Sequence, residues 1–130
     1  LVNTASQCGL TPQYAELELL HRDYQDKGLR VIGFPANNFG GQEPGTEEEI
    51  KQFCETHFEV SFPLSNKISV KGEERHPLYA WLAQATGEEP SWNFHKYLVS
   101  KDGQSVTSFA PTTSVDSPEF SQQLEAALAK

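Results

Sequence analysis

The chain has 130 residues, 37% hydrophobic and 22% charged, with ten Lys and Arg against eighteen Asp and Glu for a net charge of −8. That acidity argues against nucleic-acid binding, which needs basic patches to meet phosphate, and no apolar run approaches the ~20 residues of a membrane span. The length suits one domain, 1–130, and two cysteines, Cys8 and Cys54, are too few for a disulfide framework, so a reducing, cytoplasmic setting is expected.

Leu1 opens directly into an apolar run without an initiator Met, so N-terminal strands are expected to be missing from this domain. Leu1 to Ala5 reads as a short buried strand. Pro12 to about Lys27 reads as a helix, with Tyr14, Leu17, Leu20 or His21, and Tyr24 at helical spacing. Thr11 is a fair N-cap, Pro12 suits the first helical position, and Gly28 suits the position just past the end. Leu29 to Phe34 is β-branched and apolar and predicts a central strand, ended by Pro35. Strand, helix and strand in succession form a right-handed βαβ unit with parallel strands.

Residues 36–45 form a glycine-containing loop. Thr46 and Glu49 have capping-box spacing and open a second helix. Ile50, Phe53, Cys54 and His57 recur at helical spacing there, which turns Cys54 toward the core. Ser61 to Leu64 and Lys67 to Val70 read as short extended pieces. A third helix starts at His76-Pro77 and runs through Leu78, Trp81, Leu82 and Ala85 to Gly87. Phe94 to Ser100 and Gln104 to Phe109 form a hairpin through Lys101-Asp102-Gly103. Ser117-Pro118 caps a final helix with Phe120, Leu124, Ala127 and Leu128 on one face. This order predicts an α/β, thioredoxin-like fold, a central mixed β-sheet flanked by helices.

Cys8 falls between the first strand and the first helix, at a helix N-terminus where unpaired amides and the macrodipole favour an anion. The thiolate is the reactive form of cysteine, and an unperturbed thiol is only roughly 3% ionised at neutral pH. Cys8 therefore reads as a redox nucleophile. Reactive groups of an open α/β sheet gather at the carboxyl ends of its strands. Two further loops arrive at that edge, Asn37 to Gly45 and Ser91 to Phe94. They bring Gln42, Asn93 and Trp92, neutral N–H donors that favour a thiolate and a departing alkoxide. Bland readings stand beside each. A Trp before a strand is often a core plug, Asn and Gln in a glycine loop are usually turn formers, and a free Cys packs as a small hydrophobe. The signal lies in their coming together with Cys8.

Asn3-Thr4-Ala5-Ser6-Gln7-Cys8-Gly9-Leu10-Thr11, Gly33 to Gly45 and Trp92-Asn93-Phe94 together resemble the glutathione peroxidase family. The likeness also takes in His76-Pro77-Leu78-Tyr79 and Phe109-Ala110-Pro111. It identifies the chain with the cysteine-containing, non-selenium, monomeric bacterial-like members. By that resemblance Cys8 is the peroxidatic residue, and Gln42, Trp92 and Asn93 are the rest of a catalytic tetrad. The implied activity is thiol-dependent reduction of hydrogen peroxide and organic or lipid hydroperoxides through a Cys8 sulfenic acid, with no metal and no cofactor.

The family usually has cysteine where this chain has Ala36 and glutamine where it has Asn38. Members that resolve internally carry their second cysteine at the position of Glu55. One step along a helix rotates a side chain about 100°, so Cys54 is favoured as structural over resolving. Tetrameric relatives carry a longer insertion where this chain has the short Thr86 to Ser91 connector, so the resemblance implies a monomer with an open site. Thioredoxin or glutathione is the expected reductant, thioredoxin being favoured if Cys54 can move, because little basic charge lies near the motifs to hold anionic glutathione.

Other readings compete less well. A dithiol oxidoreductase needs a second cysteine at Thr11, and a peroxiredoxin needs Thr or Ser at Ala5. Zinc binding by Cys8, Cys54, His21, His57, His76 and His95 lacks ligand-pair spacing. These histidines read as surface or helix-face residues, with His57 and His95 the two to check. The alternative from another class is a peroxide sensor or relay that passes the oxidation of Cys8 to a partner protein.

Overall fold

The computed structural model describes residues 1–129. Four strands, β1 (Val2–Thr4), β2 (Gly33–Pro35), β3 (Lys96–Val99) and β4 (Val106–Phe109), form one sheet in the order β2-β1-β3-β4. β1 and β2 run parallel, while β1–β3 and β3–β4 are antiparallel, so the sheet is mixed. The helices are α1 (Gln13–Tyr24), α2 (Glu47–Phe58), α3 (Pro77–Thr86) and α4 (Pro118–Leu128). Among the described residues no helix is long and apolar enough to cross a membrane.

Alternating strand residues serve two separate cores. Val2, Leu98 and Phe109 join residues of α1, α2 and α4, including Tyr14, Leu17, Ile50, Cys54, Phe120 and Leu124. Phe34, Tyr97 and Val99 join Tyr79 and Leu82 of α3. The period of two along each strand sends neighbours to opposite faces, and each face gains a helical cover.

Local signals set most element ends. Thr46 and Glu49 close the capping box on α2 from both sides. His76 Nδ1 accepts from the Leu78 N–H at the start of α3, and Ser117 Oγ accepts from the Phe120 N–H at the start of α4. Gly28, at φ 106°, ends the short 3₁₀ turn Gln25–Lys27 that follows α1.

The expected central strand 29–34 is shorter, later and nearer the edge. β2 takes in Pro35, and β1 and β3 are the strands with neighbours on both sides. Pro35 is tolerated because an edge position asks for no donor there. Among the described residues a single bridge, Gly33 to Leu64, lies beyond β2, so the pieces around 61–70 run alongside the sheet without becoming strands of it. The carboxyl ends of β1 and β2 and the amino end of antiparallel β3 therefore share one edge.

Candidate active site

Cys8 lies in the crossing from β1 to α1, and Thr11 organises that crossing. The Thr11 hydroxyl donates to the Ala5 carbonyl at 2.9 Å and accepts from the Cys8 N–H at 2.9 Å. The Thr11 N–H donates to the Cys8 carbonyl at 3.0 Å. Thr11 is thus no N-cap. Pro12 takes that position without a side-chain bond, and the hydroxyl is engaged by the Cys8 turn instead. Successive turns from Leu10, Thr11 and Pro12 carbonyls lead into α1, so Cys8 stands just ahead of its N-terminus. Its side chain is half-buried, and the Leu10 N–H donates to Sγ at 3.3 Å.

Main-chain and side-chain bonds stitch the other two loops to this one. The Gln7 N–H donates to the Gln42 carbonyl at 3.1 Å, and Ser6 Oγ donates to Glu43 Oε2 at 3.0 Å. Asn37 Oδ1 accepts from the Glu43 N–H at 2.8 Å and steadies the glycine-rich turn. From the third loop, Asn93 Nδ2 donates to Gln42 Oε1 at 2.9 Å. Asn3 Nδ2 donates to the Trp92 carbonyl at 3.0 Å, and the Phe94 N–H donates to the Asn3 carbonyl at 2.7 Å. Gln42 is therefore tied to the neighbour of Cys8 on one side and to Asn93 on the other.

Asn93 is fully buried, whereas Trp92 is 38% exposed with its ring 5.6 Å from that of Phe39. The exposed Trp is no core plug. Among the described residues, neither the Trp92 indole N–H nor the Gln42 amide N–H group has a hydrogen-bond partner. Gly40, at φ 66°, lets the loop pass under the indole, since a Cβ there would lie 3.2 Å from Trp92 Cη2. Phe94 adopts φ 67°, which reverses the chain after Asn93 and sends its ring edge-on against Tyr14 at 5.3 Å.

Cys54 is elsewhere. It is fully buried on the core face of α2, as its helical spacing implies, and burial pushes its thiol up to about 11. It lines a cavity of 380 Å³ between α2 and residues 60–66, and Cys8 has no part in that wall. The site edge itself is open, next to a 200 Å³ hollow lined by Ser6, Gln7, Glu43 and Phe53 among others.

The residues that hold the site were less visible in sequence than those that occupy it. Asn3 stands in an apolar strand, where a carboxamide needs a reason, and that reason is the Trp92 turn. Thr11 and Asn37 had local turn roles to mask them. His95, expected on a surface, is 3% exposed.

The family model described as glutathione peroxidase matches residues 1–83. The glutathione peroxidase homolog BsaA of Halalkalibacterium halodurans is 49% identical over 118 residues, covering 88% of this chain and 75% of that protein. The hydroperoxy fatty acid reductase Gpx2 of Synechocystis is 50% identical over 127 residues, 98% of this chain and 82% of its own. The thioredoxin/glutathione peroxidase BtuE of Escherichia coli is 41% identical over 154 residues, 100% of this chain and 84% of its own. The crystal structure of T. cruzi GPX1 superposes with a TM-score of 0.75 at 31% identity, covering 98% of this chain and 79% of that one. A match to the family model over more than half the chain, relatives near 50% identity and a shared thioredoxin-like fold agree, and the chain belongs to the glutathione peroxidase family of peroxide-reducing oxidoreductases.

Proposed function

We propose that the protein is a thiol peroxidase in which Cys8 is the peroxidatic residue and Gln42, Trp92 and Asn93 complete its site. The Cys8 thiolate attacks the terminal oxygen of a hydroperoxide. The S–O bond forms as the O–O bond breaks, and the departing alkoxide takes a proton and leaves as alcohol or water. A reductant thiol then attacks the sulfenic sulfur, releasing water and leaving a mixed disulfide; a second thiol releases Cys8 and carries the disulfide away. The half-buried Sγ with the Leu10 N–H donating to it at 3.3 Å is the observation that carries this reading. That N–H is a main-chain donor fixed beside the sulfur that attacks the peroxide.

Trp92 and Gln42 supply further donors in this scheme, for the thiolate and for the oxygen that gains charge as the peroxide bond breaks. Asn93 orients Gln42 by occupying its amide oxygen. The substrate class is hydrogen peroxide together with organic hydroperoxides, in keeping with the relative named hydroperoxy fatty acid reductase. The reductant is thioredoxin or glutathione, in keeping with the relative named for both. The buried Cys54 supports reduction by an outside thiol.

Steady-state peroxide consumption, coupled in turn to thioredoxin and to glutathione, tests the proposal. Many turnovers per Cys8, abolished in Cys8→Ser, are expected. The sequestered second thiol also favours a relay in which the sulfenate is handed to a partner protein. A single oxidation per Cys8 with either reductant would select that reading instead.

A further inference from the structure

His95 follows the Trp92-Asn93-Phe94 turn, just ahead of β3, and its imidazole is 3% exposed. Nδ1 accepts from the Ser91 N–H at 3.3 Å, with Ser91 Oγ 3.4 Å away. Nε2 lies 2.7 Å from Ser108 Oγ on β4. A main-chain N–H can only donate, so Nδ1 carries no proton and the Nε2–H donates to Ser108. Both ring nitrogens are satisfied in this one neutral tautomer.

Ser91 is the residue before Trp92. The connector from α3 to the site has few other ties to the sheet. Tyr97 Oη donates to the Glu88 carbonyl at 2.7 Å, and Asn3 holds the Trp92 carbonyl. His95, its ring 5.0 Å from that of Tyr97, grips the chain between those two points. Trp92 is held at its carbonyl by Asn3 and at its ring beside Phe39, and its amino side is reached through Ser91, which His95 holds.

We infer that neutral His95 is a positioning residue for Trp92, clamping Ser91 through Nδ1, and that a proton on Nδ1 opens the clamp and lets the indole drift from the site. The inference rests on the peroxidase reading given above. A protonated ring would set Nδ1–H against the Ser91 N–H, two donors facing each other. The charged groups around the ring are Glu88 on the connector, which favours the proton, and Lys96 on β3, which opposes it. Ser91, Ser108 and Tyr97 also touch the ring and bring no charge at working pH. Burial, the largest influence, holds the imidazole below its ordinary range, so the clamp stays shut at neutral pH and opens on the acid side.

The test is the pH profile of the second-order rate constant for Cys8 oxidation by hydrogen peroxide, measured by stopped flow. His95→Phe removes the acceptor and is expected to slow the reaction about ten-fold at neutral pH, less than the loss of a donor outright. His95→Asn returns an acceptor near Nδ1 but cannot titrate. It should recover most of that rate and lose one ionisation from the acid limb of the wild-type profile. Superimposable profiles for wild type and His95→Asn would overturn the inference.

Nitrogen chemical shifts of the wild-type imidazoles give a reading that needs no variant to fold. The Nε2–H tautomer is expected, and an Nδ1–H tautomer at neutral pH also overturns the clamp. If Cys8 of the wild type fails to react with peroxide at any pH, the peroxidase reading falls, while the tautomer measurement still decides the clamp.

Discussion

Asn93 Nδ2 donates to Gln42 Oε1 at 2.9 Å, a bond between side chains 51 positions apart in the chain. It fixes which end of the Gln42 carboxamide is engaged and leaves its N–H end without a partner among the described residues. Gln42→Glu keeps an acceptor for Asn93 but removes the donor and adds a negative charge. It is expected to lower the rate constant for Cys8 oxidation by at least about a hundred-fold, and Gln42→Ala by about a hundred-fold. Stopped-flow rates equal to wild type in both would show that the amide faces away.

Trp92→Phe keeps a ring against Phe39 and deletes the indole N–H along with part of the bicyclic ring. Sulfenate formation should slow by about a hundred-fold. The urea midpoint should move little, because a half-exposed ring changes stability by about 0.5 kcal/mol or less. A large loss of stability with an unchanged rate would make Trp92 a packing residue.

Cys54→Ala should retain peroxide turnover with thioredoxin and with glutathione, within about two-fold of wild type, since the thiol is fully buried and its proton is held tightly. Mass spectrometry after one equivalent of peroxide should find a single added oxygen on Cys8 and no Cys8–Cys54 bridge. A bridged species would mean that α2 opens during the cycle.

Two buried carboxyls should pull stability in opposite directions with pH. Burial alone would raise the Glu18 carboxyl, but donors from Ser61 at 2.6 and 2.7 Å, together with Arg22, outweigh it and hold Glu18 below its ordinary value. A depressed folded value means a contribution that is full above the ordinary carboxylate range and lost as pH falls through the folded value. Glu43 is raised by burial, against the pull of Ser6 and Lys67. Its folded form keeps the proton longer, so stability falls as pH climbs from the ordinary range to the folded value. At pH 7, Glu18→Gln should lower the urea midpoint and Glu43→Gln should raise it. Shifts of the same sign would refute the assignment.

The sequence made most of the architecture visible because its local chemistry is unambiguous. Thr46 with Glu49, His76 with Pro77, Ser117 with Pro118 and Gly28 each mark a helix end by a donor or acceptor within a few residues. Cys54 faces the core because its spacing from Ile50 is one helical turn. The failures arose where a distant partner outweighed the local rule. Thr11 looks like a cap until Ala5 and Cys8 compete for its hydroxyl. Pro35 looks like a strand breaker until β2 is known to lie at an edge. His95 looks like a surface residue because its partner on β4, Ser108, is supplied only by the hairpin register, which pairs Tyr97 with Ser108.

Phe94 pairs a left-handed main chain, φ 67°, with a ring that has no exposed surface. A side-chain-bearing residue in that basin costs about 1–2 kcal/mol. Glycine would relieve the twist yet open a void beside Tyr14, where losing a Phe ring costs about 3–5 kcal/mol. The void is the larger penalty, so the awkward conformation is the better of two poor choices. Efforts to make this protein more heat-resistant therefore gain nothing by smoothing position 94, and are better directed at surfaces remote from the turn it braces.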